Sequence, residues 1–270
     1  MSKWRDNECR HHARSILEDF QVAAPEEIDL DTIAWRVGKL RIEYGGLDTA
    51  EGRIVASPKG GGTIRVTDRG SNLGRRRFTV AHEIGHFILH LANGLDREDT
   101  VGNFVIWNDA GEETEANTFA AELLMPEFLM VSHSEGREPS LSLVDSLADK
   151  FRTSSLATAI QFTNYTREQV ALVVSRGTHM ERFFKSKSFW PRIRWGQIHP
   201  DSAAGERLAH KASDSRKMVD APAYAWLEGF DDKSDSDIME DSRYLEHYDR
   251  TLTLLWLNED IGQGRGYTDS

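Results

Sequence analysis

Cysteine is almost missing from this chain. Cys9 stands alone among 270 residues, which excludes intrachain disulfides and cysteine-rich zinc modules. Proline is scarce at seven residues, and with no low-complexity tract the chain has no long extended linker. No apolar run approaches the ~18 residues of a membrane helix. The opening stretch, 1–10, is charged throughout and lacks the apolar centre of a secretory signal, so the expected location is cytoplasmic. Positive charge is also in deficit: 33 Lys and Arg stand against 44 Asp and Glu, a net of −11. Residues 201–270 hold 16 acidic and 8 basic residues, a net of −8, against −3 for residues 1–200. An acidic chain resists nonspecific attachment to phosphate backbones and favours basic partners. A dedicated nucleic-acid binder is therefore disfavoured.

The remaining 39% apolar residues and mean hydropathy of −0.53 are those of a globular chain, long enough for one or two domains at roughly 150 residues each. Ala13, Ile16, Leu17 and Phe20 recur at helical spacing. A second short helix is expected after Pro25, around Leu30, Ile33, Ala34 and Val37. Residues 53–56 and 63–66 read as strands joined by the turn-rich Ser57-Pro-Lys-Gly-Gly-Gly62. Ser71 or Asn72 is placed to cap a long helix running to about Ala92 and ended by Asn93-Gly94. Another helix, from about Glu112 to Met125, follows a loop with Gly102 and Gly111 and is stopped by Pro126. Helices at 141–151 and 154–165 and a strand at 169–174 come next, with residues 183–189 as a pairing partner. In the tail, 251–257 reads as a buried strand and 231–237 as a solvated acidic loop, lacking the glycine and final glutamate of a calcium loop.

The chemistry lies in His82-Glu-Ile-Gly-His86. Histidines at i and i+4 share one helical face and can bind a single Zn²⁺ through their imidazole nitrogens. Glu83 is turned by about 100° from His82, out of the metal's reach but toward water bound there. Ile84 points to a core, and Gly85 weakens the helix in return for close backbone approach. Two histidines hold zinc poorly, and catalytic sites use three protein ligands plus water. The metzincin third ligand is missing, because positions 89 and 92 are Leu89 and Ala92. Downstream, Glu113 and Asn117 share a helical face while Glu115 looks away, which makes Glu113 the leading third ligand and Asn117 its outer-shell support. Glu112 competes for the same role. A two-histidine, one-carboxylate set also accepts Mn²⁺ or Fe²⁺.

Residues 77–90, Arg-Phe-Thr-Val-Ala-His-Glu-Ile-Gly-His-Phe-Ile-Leu-His, together with residues 113–126, Glu-Thr-Glu-Ala-Asn-Thr-Phe-Ala-Ala-Glu-Leu-Leu-Met-Pro, resemble the ImmA/IrrE family of metallo-endopeptidases. A looser likeness extends over about 28–190. The resemblance implies an α+β chain built on a thermolysin-like minimal zincin core, a small sheet with the two motif helices. Read from the chain itself, a helix-turn-helix-like module and a small α/β C-terminal region of unknown role are expected to follow, with boundaries at 1–130, 131–166 and 167–270, and the resemblance does not reach the last seventy residues. The resemblance implies His82, His86 and Glu113 as zinc ligands and Glu83 as general base in the attack of water on a peptide carbonyl. The implied substrate is a protein, a basic helix-turn-helix repressor or antitoxin, in transcription regulation or a stress response. The alternative is a non-catalytic regulatory interaction or DNA-binding protein that keeps a structural metal site. The oligomeric state is open.

His90, one turn past His86, has rotated about 80° from His82 and suits packing or the outer shell better than the metal. The strand at 63–67 offers an edge to an extended substrate. His133 and several tyrosines are open as oxyanion stabilisers. Arg75-Arg-Arg77 reads as a solvated first-turn cluster. Residues 147–160 resemble a helix-turn-helix, with Arg152 at the turn where glycine is common. The second helix has no Lys or Arg, which favours partner docking over DNA reading. Arg182, Lys185, Lys187, Arg192 and Arg194 alternate with Phe183, Phe184, Phe189 and Trp190. Such interleaving can bind single strands, but a half-buried strand with a basic outer face is the simpler reading.

Overall fold

The computed structural model describes residues 3–46, 51–56, 61–68, 72–91, 110–210, 217–233, 235–245 and 249–258. The chain divides into two compact units, Met1–Leu129 with Ala148–Ser154, and Met130–Leu147 with Ser155–Ser270. Both mix helix and sheet, giving an α+β protein.

The first unit opens with α1 (Lys3–Asp19), whose Cys9, Ala13 and Leu17 recur every fourth residue and are buried. A short 3₁₀ turn at Pro25–Glu27 leads to α2 (Leu30–Gly38), capped by the Asp29 carboxylate, which accepts from the Asp31 and Thr32 N–H groups. Three strands follow: β1 (Leu40–Tyr44), β2 (Gly52–Ala56) and β3 (Gly62–Val66). Their order is β1-β3-β2, with β3 parallel to β1 and antiparallel to β2. The strands expected at 53–56 and 63–66 are therefore paired as supposed, while β1 had no alternating pattern to announce it. The sheet order also corrects the proposed substrate edge. Residues 63–66 lie in β3, the central strand with both sides paired, and β1 and β2 are the margins, β2 being the one beside Glu83.

Asn72 caps α3 (Leu73–His86), its side chain accepting from the Arg75 N–H. The α-helix ends at His86, and Phe87–Leu91 continue as a π-helical turn, rather than as α-helix toward Ala92. Ser71, residues 57–60, Asn93-Gly94 and Gly102 lie outside the described residues. Helix α4 (Ala110–Leu124) packs on α3. Close approach needs Gly85, since a Cβ there would fall 2.9 Å from Phe119 Cδ1. Helix α1 packs on α4 through Arg5–Glu115 at 3.0 Å and Arg10 and Arg14 to Glu122 at 2.9 and 2.7 Å, contacts that advance together, so the helices run in the same direction.

Pro126 ends α4, and α5 (Glu127–Ser134) starts directly after it, a helix the sequence did not announce. Then come α6 (Leu141–Phe151) and α7 (Ser155–Tyr165), within a residue of expectation. Arg152 occupies the turn with φ 55°, the left-handed conformation for which glycine is better suited. The residues of α7 are buried or half-buried.

The second unit is organised on β4 (Gln169–Arg176), β5 (His179–Lys185), β6 (Val219–Pro222), β7 (Asp237–Leu245) and β8 (Arg250–Leu257), in the order β5-β4-β8-β7-β6. Strand β8 matches the buried run expected at 251–257. Strand β5 ends at Lys185 and begins four residues before the expected 183–189. Helices α8 (Ala203–His210) and α9 (Ala223–Trp226) accompany the sheet. The core holds Ala171, Val173, Phe189, Ile193, Trp226 and Leu255. Buried Glu240 accepts from the Ala203 and Ala204 N–H groups at the start of α8, from Trp226 Nε1 and from Ser242 Oγ. Four donors satisfy one carboxylate, which makes its burial tolerable.

Candidate metal centre

The two histidines of α3 face the glutamate of α4 across the packed pair of helices. His82 Nε2 lies 3.0 Å from His86 Nε2. Glu113 places one oxygen 3.3 Å from each imidazole, Oε2 at His82 and Oε1 at His86. One ligand atom from each of the three residues falls within 4.8 Å of the others, the one such grouping of His, Cys, Asp and Glu among the described residues. His86 is buried, His82 and Glu113 partly so. Glu112 stands outside the grouping.

Asn117 lies one turn beyond Glu113 on α4, and its Oδ1 is 3.0 Å from His82 Nδ1. With Nδ1–H donating to that oxygen, the Nε2 lone pair is aimed at the Glu113 side. Burial, opposed by the Glu113 charge and the Asn117 hydrogen bond, lowers the His82 pKa. Burial with the neighbouring His82 and His90 charges brings His86 down to about 3. Both rings are therefore neutral at pH 7 and keep a donor lone pair. Two neutral imidazoles and a carboxylate are the donor set of catalytic zinc sites with an open coordination position, so the residues present fit a divalent cation.

His90 is not in the grouping. Its ring packs against His86 with centroids 5.6 Å apart, and its Nε2 lies 3.8 Å from Glu115 Oε2, beyond hydrogen-bond reach. Glu115 turns toward α1, where Arg5 meets it.

Glu83 is buried, 8% exposed. Burial, reinforced by the Glu113 charge and opposed by the Ile54 backbone N–H, pushes its carboxyl up to about 7. That N–H comes from β2, and β2 also supplies Gly52, where a Cβ would collide with Thr79 Cγ2 and sit 2.8 Å from Glu83 Oε1. Gly52, Ile54 and Thr79 thus frame the carboxylate. Sequence reading passed over all three, and the one local signal was a glycine opening a strand.

Of Arg75–Arg77, Arg75 is exposed as a solvated first turn would have it, while Arg76 and Arg77 are half-buried. Arg75 pairs with Glu51, Arg76 lies over the Tyr44 ring and Arg77 donates to the Ile28 carbonyl at 3.1 Å. The helix start binds its own unit.

Residues 40–163 match the family model described as the IrrE N-terminal-like domain of the M78 peptidases, which contains β1 to α6 and most of α7. No curated protein matches the chain. Among solved structures, the fold is similar to a Mycobacterium tuberculosis transcriptional regulator, at 11% identity and a TM-score of 0.56, over 93% of this chain and 76% of that one. That likeness concerns the fold alone. No helix among the described residues is long and apolar enough to cross a membrane.

Proposed function

From the membership of residues 40–163 in the ImmA/IrrE family of metallopeptidases, we propose that this chain is a zinc-dependent endopeptidase that cleaves an intracellular protein, a basic helix-turn-helix repressor or antitoxin. The observation that carries the reading is the convergence of His82, His86 and Glu113 within 4.8 Å, beside the buried Glu83. His82, His86 and Glu113 would hold the ion, with Asn117 orienting His82. Bound there, zinc supplies Lewis acidity for a peptide carbonyl and for water. Glu83 accepts the proton of the attacking water and returns it to the leaving nitrogen. Burial, which raises the Glu83 pKa, helps the carboxyl hold the proton between the two transfers. Its position is held by the Ile54 N–H, so the base is oriented before substrate arrives.

The substrate would lie extended along β2, at the margin of the three-stranded sheet and adjacent to Glu83. The basic character of the substrate accords with the chain's net charge of −11.

The test compares newly formed protein N-termini in host cells expressing wild type or Glu83→Gln at equal levels. A new terminus in a DNA-binding regulator, present with wild type and absent with the variant, is the expected result. Identical termini, with zinc bound to both proteins, would sink the peptidase reading and move the non-catalytic regulatory one ahead.

A further inference from the structure

Between residues 177 and 200 the acidic character of the chain is reversed. This stretch holds Arg182, Lys185, Lys187, Arg192 and Arg194 against the single carboxylate Glu181, a net of +4 in a chain of −11. Glu181 is occupied by Arg250 at 2.6 Å. Strand β5 lies at the margin of its sheet. Beyond it, burial alternates: Trp190, Arg192 and Arg194 are exposed while Pro191 and Ile193 are buried. Ile193 bridges to Leu227 and joins the core. Around the bridge at Ile193 alternate residues point the same way, so Arg192 and Arg194 share the outer side, and with the exposed Trp190, just before the bend at Pro191, they make a short stripe.

Two contacts fix the stripe. Lys185 Nζ donates to the Pro191 carbonyl at 2.5 Å, tying it to the end of β5. Arg194 donates to the Phe230 carbonyl at 3.1 Å, which orients the guanidinium without neutralising it. Next to it Trp195 packs on Phe183 of β5, ring centroids 5.8 Å apart and planes tilted by 56°. Phe184 and Phe189 follow the half-buried strand that sequence reading preferred, whereas Phe183 and Trp190 depart from it. Phe183, Trp190 and Trp195 are 40%, 50% and 56% exposed, while Trp226 and Phe189 fill the core of the same unit.

We propose that this face binds single-stranded nucleic acid. Exposed aromatic rings offer stacking platforms to unpaired bases, and the arginines between them meet the phosphates. A duplex hides its base faces, so the rings would gain nothing from it. Glu228, whose N–H bonds to the Arg192 carbonyl, brings a carboxylate on the neighbouring segment that opposes binding. The proposal uses no residue of the metal centre and stands apart from the peptidase reading.

The test is anisotropy of fluorescein-labelled oligonucleotides of about 15 nucleotides, oligo-dT and oligo-rU, with the full chain at low and physiological salt. Expected is saturable binding at low salt, weakening as salt rises, and at least about tenfold weaker binding of a duplex of equal length. Trp190→Ala and Trp195→Ala should each weaken binding by about tenfold, and Glu228→Gln should strengthen it. Circular dichroism checks that each variant is folded, and Arg192→Ala serves should either tryptophan variant fail. A preference between the two oligomers tells whether DNA or RNA is the ligand. No binding at low salt, equal binding of duplex, or indifference to the folded aromatic and Arg192 variants would overturn the proposal. So would a change of oligomeric mass in the tryptophan variants without oligonucleotide binding, which would make the face a contact between copies.

Discussion

Gly52 shows how little room the candidate base leaves its neighbours. A methyl group there would collide with Thr79 Cγ2 and crowd Glu83 Oε1. Gly52→Ala is expected to lower stability by about 1–3 kcal/mol in urea unfolding and to reduce turnover of the cleaved protein by displacing Glu83. Adding Thr79→Ser, which removes the obstructing Cγ2, should recover part of both losses. Asn117 is a different kind of support, since it reaches His82 Nδ1 and leaves Nε2 free. Asn117→Ala should weaken zinc binding by about 10- to 100-fold in a competition titration against a chelator, with the ion still bound at saturation. Unchanged affinity would remove Asn117 from the site. These side chains were unequally legible. His82, Glu83 and His86 are set by spacing on one helix, and Glu113 and Asn117 by spacing on another. Gly52, Ile54 and Thr79 matter through a strand packed beside that helix, which no local spacing records.

At the scale of elements, buried carboxylates cap helices from distant strands. Glu240 of β7 serves the first N–H groups of α8 and the Trp226 indole. Glu240→Ala leaves these donors without their acceptor and should cost about 3–5 kcal/mol in urea unfolding. Glu240→Gln, which keeps one acceptor oxygen, should cost less. On the same strand, Asp241 accepts from the Leu141 N–H at 2.8 Å where α6 begins. Burial outweighs that hydrogen bond and raises its pKa. The folded state then holds this proton to higher pH than the unfolded state, so stability falls as pH rises from the ordinary carboxylate value to the raised one. Asp241→Asn has no such titration, and its stability relative to wild type should increase across that window in pH-dependent unfolding. A difference independent of pH would refute the assignment. Neither cap could be read in advance, since residues 100 and 36 positions apart meet only after the sheet has formed.

For the molecule as a whole, the candidate ligands join α3 to α4, whose contributing residues His86 and Glu113 flank a segment outside the described residues. Any ion bound to that folded pair and not to the unfolded chain stabilises the protein by mass action, about 2.7 kcal/mol at a hundredfold excess over Kd. Chelation should therefore lower the melting temperature and added zinc restore it, while His86→Ala should show neither response. A melting curve indifferent to chelator and zinc in the wild type would argue against a metal centre.

Local chemistry along the sequence was enough for the helices with strong periodicity and caps. Asn72 starts α3, Pro126 closes α4, and the i, i+4 histidines share a face whatever surrounds them, because helical geometry is set by residues within a turn or two. Strand order, by contrast, depends on partners that compete across the chain. The parallel pairing of β1 with β3 is what leaves β2 at the margin beside Glu83. The same holds for Arg76 and Arg77, whose charges read as solvent-facing until Tyr44 and Ile28 are brought against them. It holds also for Trp195, which becomes a platform only where β5 presents Phe183 to it. Spacing names the groups that carry chemistry; packing between distant segments decides which of them are buried, oriented or left open to a partner.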